Sequence, residues 1–442
     1  MFKRKIYDRL LDWKKTSNGD TALLIEGARR IGKSTLVDEF GKNEYKSYII
    51  IDFAFAPKKV LDLFNDMSDL NFFFLQLQLF YSVQLYERES LIIFDEVQFC
   101  PLARQAIKRL VQDHRYDYIE TGSLISIKDN VKNILIPSEE RSIQMYPMDY
   151  EEFKWAIGDT TSINLLRKSF ESRSKLGEAA HRKLIKDFRL YMLIGGMPQA
   201  IKKYIETNNF EEVDKVKRDI IKLYKSDFVK LDSTGKAELL FNSIPAELNK
   251  NSSRYNISSV IKNRKASDLS QLILKMKDSK TVLVAYQTND PNIDLANNRN
   301  NDIFKMYLSD TGLFVTLLFY NKEFIENDIY EKLLYDKLPT NLGYLYENIV
   351  AQILTSKGID LYYHSWYDEI SKHNQEIDFL ITRKNKIVPI EVKSSKYATH
   401  ASFDKFTCKF SNRIGDKYII YTREYKKENG IEFIPIYYSI FL

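Results

Sequence analysis

Gly27-Ala28-Arg29-Arg30-Ile31-Gly32-Lys33-Ser34-Thr35 lies between the apolar run Ala22–Ile25 and the amphipathic run Leu36–Phe40. This is G-x-x-x-x-G-K-S in its required setting, a strand entering it and a helix leaving it, which commits the start of the chain to a parallel α/β sheet. The physical demand is specific. Glycines let the backbone curl until successive N–H groups and the helix N-terminus face a β-phosphate. Lys33 then reaches the β and γ oxygens, and the Ser34 hydroxyl ligates Mg²⁺. Short β-branched runs alternate with amphipathic ones over the rest of this region. They predict strands over Ala22–Glu26, Ser47–Phe53, Ser90–Asp95, Asp117–Thr121 and Ser142–Tyr146.

A second motif separates hydrolysis from simple binding. Leu91-Ile92-Ile93-Phe94-Asp95-Glu96 is a buried-strand run that ends in two acids. Adjacent carboxylates at the carboxyl end of a parallel strand are costly without a metal partner. Asp95 is placed to hold the Mg²⁺ shell and Glu96 to polarise the attacking water. Tyr118-Ile119-Glu120-Thr121-Gly122-Ser123 closes another strand beside the same crevice. Together these residues resemble the AAA-like P-loop ATPases of the STAND-related prokaryotic group. The resemblance places Thr121 or Ser123 at that family's sensor position, with Glu120 standing where an apolar residue is usual. The runs Arg141–Phe153 and Gly195-Gly196-Met197-Pro198 resemble two further signatures of the group, in which a helical segment, a winged helix and a C-terminal domain follow the ATPase core. Arg141 reads either as a γ-phosphate sensor or arginine finger, or as a solvated surface arginine. The Gly195–Pro198 stretch is explained by a tight turn ending a helix.

From Asp149 to Lys280 helical periods replace the β signal, over Glu151–Ile157, Ile163–Ser174, His181–Leu193 and Asn209–Val229. The net charge of +6 is concentrated here: residues 251–280 carry seven basic residues against Asp268 and Asp278. Helices Lys236–Ile244, Ile257–Arg264 and Ser267–Lys277, strand Thr281–Gln287, the Asn-rich loop Asn289–Asp302 and strand Lys305–Leu308 resemble a winged helix-turn-helix with the loop as its wing. A small structural α+β subdomain is the alternative.

The final stretch reads helix, three strands, helix, strand: Leu342–Ser356, Asp360–His364, Glu376–Ile381, Lys386–Lys393, Ser402–Phe410 and Lys417–Tyr421. Period 2 brings Asp378, Glu391 and Lys393 to one side of an apolar hairpin. Asp378 and Glu391 could hold one or two Mg²⁺ or Mn²⁺ ions while Lys393 stabilises charge developing on a scissile phosphate. Spacing and order resemble the PD-(D/E)XK nucleases, and Glu347 falls where that family often adds a carboxylate. Such folds also persist as inactive binding modules.

The expected fold is therefore α/β, with an AAA-like ATPase core over 1–150, a helical segment over 151–230, a winged-helix-like domain over 231–330 and a restriction-endonuclease-like α/β domain over 331–442. Cys100 and Cys408 form neither a disulfide framework nor a cysteine zinc site. Met1–Lys15 lacks an apolar h-region, and Leu70–Leu85 is interrupted by Gln76, Gln78 and Gln84, so a cytoplasmic chain without a membrane span is expected. The reading is an Mg-dependent ATPase that acts on nucleic acid, double-stranded DNA foremost, with a homo-oligomer possible. Its rival is a regulatory ATP switch whose inactive nuclease fold binds protein partners.

Overall fold

The computed structural model describes residues 1–123, 136–250, 252–322, 325–337, 343–394 and 399–442, in two compact units, Met1–Tyr146 and Pro147–Leu442. Leu342, expected to open a helix, and position 251 of the basic stretch lie outside the described residues.

In the first unit, β1 (Ala22–Glu26), β2 (Ser47–Asp52), β3 (Ser90–Asp95), β4 (Asp117–Gly122) and β5 (Glu140–Gln144) form a sheet in the order β2-β3-β4-β1-β5. Every pairing is parallel. Parallel neighbours need long crossovers, supplied here by helices such as Lys33–Glu44, Leu70–Tyr81 and Pro101–Asp113. Helices cover the sheet, so β3 is buried along its whole length and reads as a continuous apolar run. β5 begins two residues before the expected Ser142. It is a polar edge strand whose first residue, Glu140, is held by Arg104 through a two-pronged ion pair at 2.8 and 3.1 Å.

Register across the sheet fixes the site. Ile25 is opposite Thr121, and Phe94 is opposite Glu120, which puts Asp95 level with Thr121. The carboxyl ends of β1, β4 and β3 thus finish together, where open α/β sheets bind ligands.

The second unit begins with helices. Asp149 and Glu152 form a reciprocal capping box at the start of helix Tyr150–Ala156, so part of the Arg141–Phe153 signature is a helix start. Gly195 ends helix Glu178–Ile194 as expected of a turn. The next glycine explains why two are needed: a Cβ on Gly196 would run into the backbone of Met148, while its N–H donates to buried Asp310 at 2.5 Å. Helix Ile257–Val260 is a single turn rather than the expected Ile257–Arg264, because Ile261 is extended and Asn263 left-handed.

Here β6 (Val282–Thr288), β7 (Arg299–Leu308), β8 (Tyr362–Asp368), β9 (His373–Arg383), β10 (Lys386–Val392), β11 (Tyr418–Tyr421), β12 (Lys426–Glu428) and β13 (Ile431–Pro435) make a mixed sheet ordered β12-β13-β11-β10-β9-β8-β6-β7. The expected wing hairpin is β6–β7. Its strand β6 pairs in parallel with β8, so the segments read as 231–330 and 331–442 share one sheet within one unit. The Asn-rich loop is tied down too: Arg413 donates to Pro291 O at 3.0 Å, and Asn289 N–H to Asn298 O at 2.9 Å. The order helix Gly343–Ser356, β8, β9, β10, helix Ala401–Lys409, β11 agrees with the sequence reading, with β8–β9–β10 antiparallel and β10–β11 parallel.

Candidate functional site

At the carboxyl end of β1 the loop 27–32 turns back over the helix it launches. Gly32 has φ +96° at the helix N-cap, and a Cβ on Gly27 would collide with the carbonyl oxygen of Met145. Lys33 is buried, its ammonium donating to Gly27 O at 3.0 Å and Ala28 O at 2.9 Å, inside the concavity of its own loop. Burial lowers its pKa to about 8, against the pull of Glu96 and Asp95. Ala28 and Ile31 are buried, Arg29 is half-buried and close enough to oppose the Lys33 charge, and Arg30, at φ +66°, is exposed. Ser34 and Thr35 open the helix on its exposed side.

Ser34 Oγ donates to Asp95 Oδ1 at 3.0 Å, and the buried Thr121 hydroxyl donates to the same oxygen. One carboxylate thus joins the P-loop helix, β3 and β4. Ser34 and Asp95 are hard oxygen donors side by side, a set that fits Mg²⁺. Glu96 follows in a left-handed conformation, φ +53°, with its carboxylate accepting from the Gln98 amide and its N–H 3.5 Å from Thr121 Oγ1. A non-glycine residue held at positive φ beside a phosphate loop is a placed side chain. Ser123 is half-buried just past β4.

Arg141 is not brought to this crevice. It is exposed on β5 opposite Leu23, three residues or ~10 Å before the end of β1. Glu120 is fully buried on β4, 3.9 Å from Arg104 and within the field of Glu140. Burial, then Glu140, pushes its carboxyl well above the usual range, against the opposing pull of the Arg104 guanidinium. Sequence reading missed Arg4, which is buried and donates to Ile31 O at 2.9 Å and Tyr146 O at 2.7 Å, fixing the loop from behind.

In the second unit, Glu347, Asp378, Glu391 and Lys393 do converge. They line a cavity of about 410 Å³ together with Lys305, Glu376, Ser253, Asn249 and Thr399. Lys393 Nζ lies 2.7 Å from Glu391 Oε1, and the Val392 N–H donates to Asp378 at 2.7 Å. Burial raises the pKa of Glu391, and raises Asp378 strongly with help from Glu391; Glu376 is pushed up to about 7. Lys305, unforeseen, is ion-paired with Glu376 and stands 3.7 Å from Glu347. Its signal was a lone charge within Phe304-Lys305-Met306-Tyr307-Leu308. Among the described residues no three His, Cys, Asp or Glu side chains are grouped so as to hold a metal ion. His364 is a core histidine, bonded to Thr288 O at 2.8 Å.

A parallel sheet, a phosphate loop after its first-laid strand and a serine–aspartate pair level with it define a P-loop ATPase domain. Residues 19–154 match the family model described as an AAA domain, so the first unit is of AAA type and the chain is an ATP hydrolase. Residues 185–323 and 342–438 match two models described as domains of unknown function, DUF8612 and DUF4143. Among solved structures, the Walker-type ATPase of Pyrococcus abyssi aligns at TM-score 0.43 and 15% identity, over 72% of this chain and 96% of its own. PCH-2 of C. elegans gives 0.26 and 12%, over 45% and 59%. A STAND protein with a tetratricopeptide repeat sensor from Pyrococcus horikoshii gives 0.27 and 14%, over 81% and 46%. Likenesses this distant say nothing of substrate or partner. No curated protein matches in sequence. No helix among the described residues is long and apolar enough to cross a membrane.

Proposed function

We propose that this ATP hydrolase governs a nuclease-like second unit that acts on double-stranded DNA. The observation that carries the reading is the meeting of Asp378, Glu391, Lys393 and Glu347 in one cavity, with Ser253 on its wall and the exposed Arg254 next in the chain. Arg254, Lys262, Arg264 and Lys265 are all exposed, so a basic stretch runs up to an acidic cavity. That is the charge order a phosphodiester needs: cations along the backbone, carboxylates at the bond.

At the ATPase site, Lys33 and the loop N–H groups take the β- and γ-phosphates. Ser34 and Asp95 would hold Mg²⁺, which would supply positive charge against the transferring phosphoryl group. Thr121 orients Asp95, and Glu96 accepts the proton of the attacking water. At the second site Asp378 and Glu391 would hold Mg²⁺ or Mn²⁺, and Lys393 would stabilise negative charge on the scissile phosphate. In a homo-oligomer the exposed Arg141 would serve a neighbouring copy rather than its own.

A second reading, an ATP switch whose inactive nuclease fold binds protein partners, is favoured by one observation: Lys305 already answers Glu376 and Glu347. The discriminating experiment incubates wild type, Lys393→Ala and Glu96→Gln with single- and double-stranded DNA and RNA, Mg²⁺ or Mn²⁺, and with or without ATP. Cleavage of duplex DNA by wild type and not by Lys393→Ala supports the nuclease reading. Intact ATP turnover with no cleavage of any substrate moves the conclusion to the regulatory switch.

A further inference from the structure

Lys305 belongs to a strand that the nuclease-like motif does not include. In sheet order β7 is three strands from β9, about 14 Å in a flat sheet. Glu376 pairs with Ser365, three residues along β8 from Tyr362, whose partner Tyr286 adjoins Ala285 opposite Lys305. A flat sheet would hold the two side chains farther apart than they reach. The ion pair with Glu376 therefore requires the sheet to coil, so that the β6–β7 hairpin bends over the cavity. Ring contact between Tyr307 and Phe379, at 5.8 Å, marks the same closure.

Inside, four carboxylates face two lysines. Lys305 serves Glu376 and Glu347, and Tyr307 OH adds a bond to Glu347 at 3.3 Å. Lys393 serves one oxygen of Glu391, and the Val392 N–H serves Asp378. The other Glu391 oxygen, Oε2, is buried with no hydrogen-bond donor among the described residues, in a side chain 5% exposed. A buried carboxylate oxygen in that state calls for a cation. The formal balance of four acids against two lysines leaves two negative charges, those of one divalent ion. A lysine ammonium is a compact point charge, hard enough to stand in a cation position among oxygen ligands.

We propose that Lys305 is a tethered cation filling the Glu347–Glu376 end of the cavity, so that the cavity takes a single divalent ion, at Glu391 and Asp378. With two acids drawn to Lys305, no three metal-ligating side chains are grouped together among the described residues. Two carboxylates suffice for Mg²⁺ or Mn²⁺, which keep several waters. This inference rests on the nuclease-like reading of the site.

The test is Mn²⁺ titration into the nucleotide-free full chain, by calorimetry and electron paramagnetic resonance, counting ions lost in Glu391→Gln. Wild type should take one such ion with an isolated-Mn²⁺ spectrum. Lys305→Gln, which keeps a donor for Glu376, should take one ion more than wild type in total, with an exchange-coupled spectrum that Glu391→Gln abolishes, while Lys305→Arg should take the wild-type number. A coupled pair in wild type, readable without any variant, or an unchanged count in Lys305→Gln overturns the role of Lys305 and leaves the nuclease reading standing. No Glu391-dependent ion in any of the proteins overturns both.

Discussion

Asp95 gathers Ser34 and Thr121 onto one oxygen, while Glu96 beside it is held apart at positive φ, so adjacent acids have separate tasks. Glu96→Gln keeps shape and hydrogen bonding but cannot accept a proton; ATP binding should survive while turnover falls by ~10²–10⁴-fold in a single-turnover assay. Lys33 sets a pH limit. Its pKa is lowered to about 8 by burial, so the ammonium discharges as pH rises past that value, and KM for ATP should climb between about pH 8 and 10. Over the same window the unfolded chain still holds that proton and the folded one does not, so stability from this group rises with pH rather than falling. Loss of ATP affinity without unfolding is the expected result. A KM flat to pH 10 would contradict it. Behind the site, burial and Glu140 favour the neutral form of Glu120, so Glu120→Gln should change unfolding free energy by less than about 1 kcal/mol. Arg104→Ala strips the counter-charge from Glu140 and should cost about 3–5 kcal/mol in urea titration.

Elements show where sequence was enough. β1, β3 and the P-loop helix were legible because each carries a long apolar run or a fixed motif, and β3 falls where it was expected, Ser90–Asp95. The edges were not. β12 is three exposed charged residues, so only pairing with β13 makes it a strand. Asn429-Gly430, both at positive φ, is nevertheless the two-residue hairpin signal that joins them. Of the second site, Asp378, Glu391 and Lys393 were legible from period 2, since the two acids sit on adjoining strands and Lys393 directly follows β10. Lys305 was not, because its place depends on how far the whole sheet coils. The Gly195–Gly196 turn is similarly long-range: Gly196→Ala forces the turn off Met148 and Asp310. It should lower the second unit's stability by more than about 3 kcal/mol, read as a shifted thermal transition, whereas Gly158→Ala, at φ +85° but with open space around it, should cost only the backbone strain of about 1–2 kcal/mol.

At the scale of the molecule, an ATPase unit and a unit with an acidic cavity beside a basic stretch share one chain, and in the proposed function nucleotide state governs what the second does to DNA. On the proposed reading the exposed Arg254, Lys262, Arg264 and Lys265 contact phosphates, so affinity for duplex DNA should fall steeply with salt, about 0.9 in log–log slope per phosphate neutralised. Replacing all four with Ala should flatten that slope by about 3–4 while leaving ATP turnover in the absence of DNA unchanged. The measurement that bears most directly on the claim is duplex DNA affinity across a salt series, for Glu96→Gln held with ATP against wild type held with ADP. A salt-dependent affinity that differs at least tenfold between the two nucleotide states is the predicted result; absence of binding, or binding indifferent to nucleotide, would contradict it.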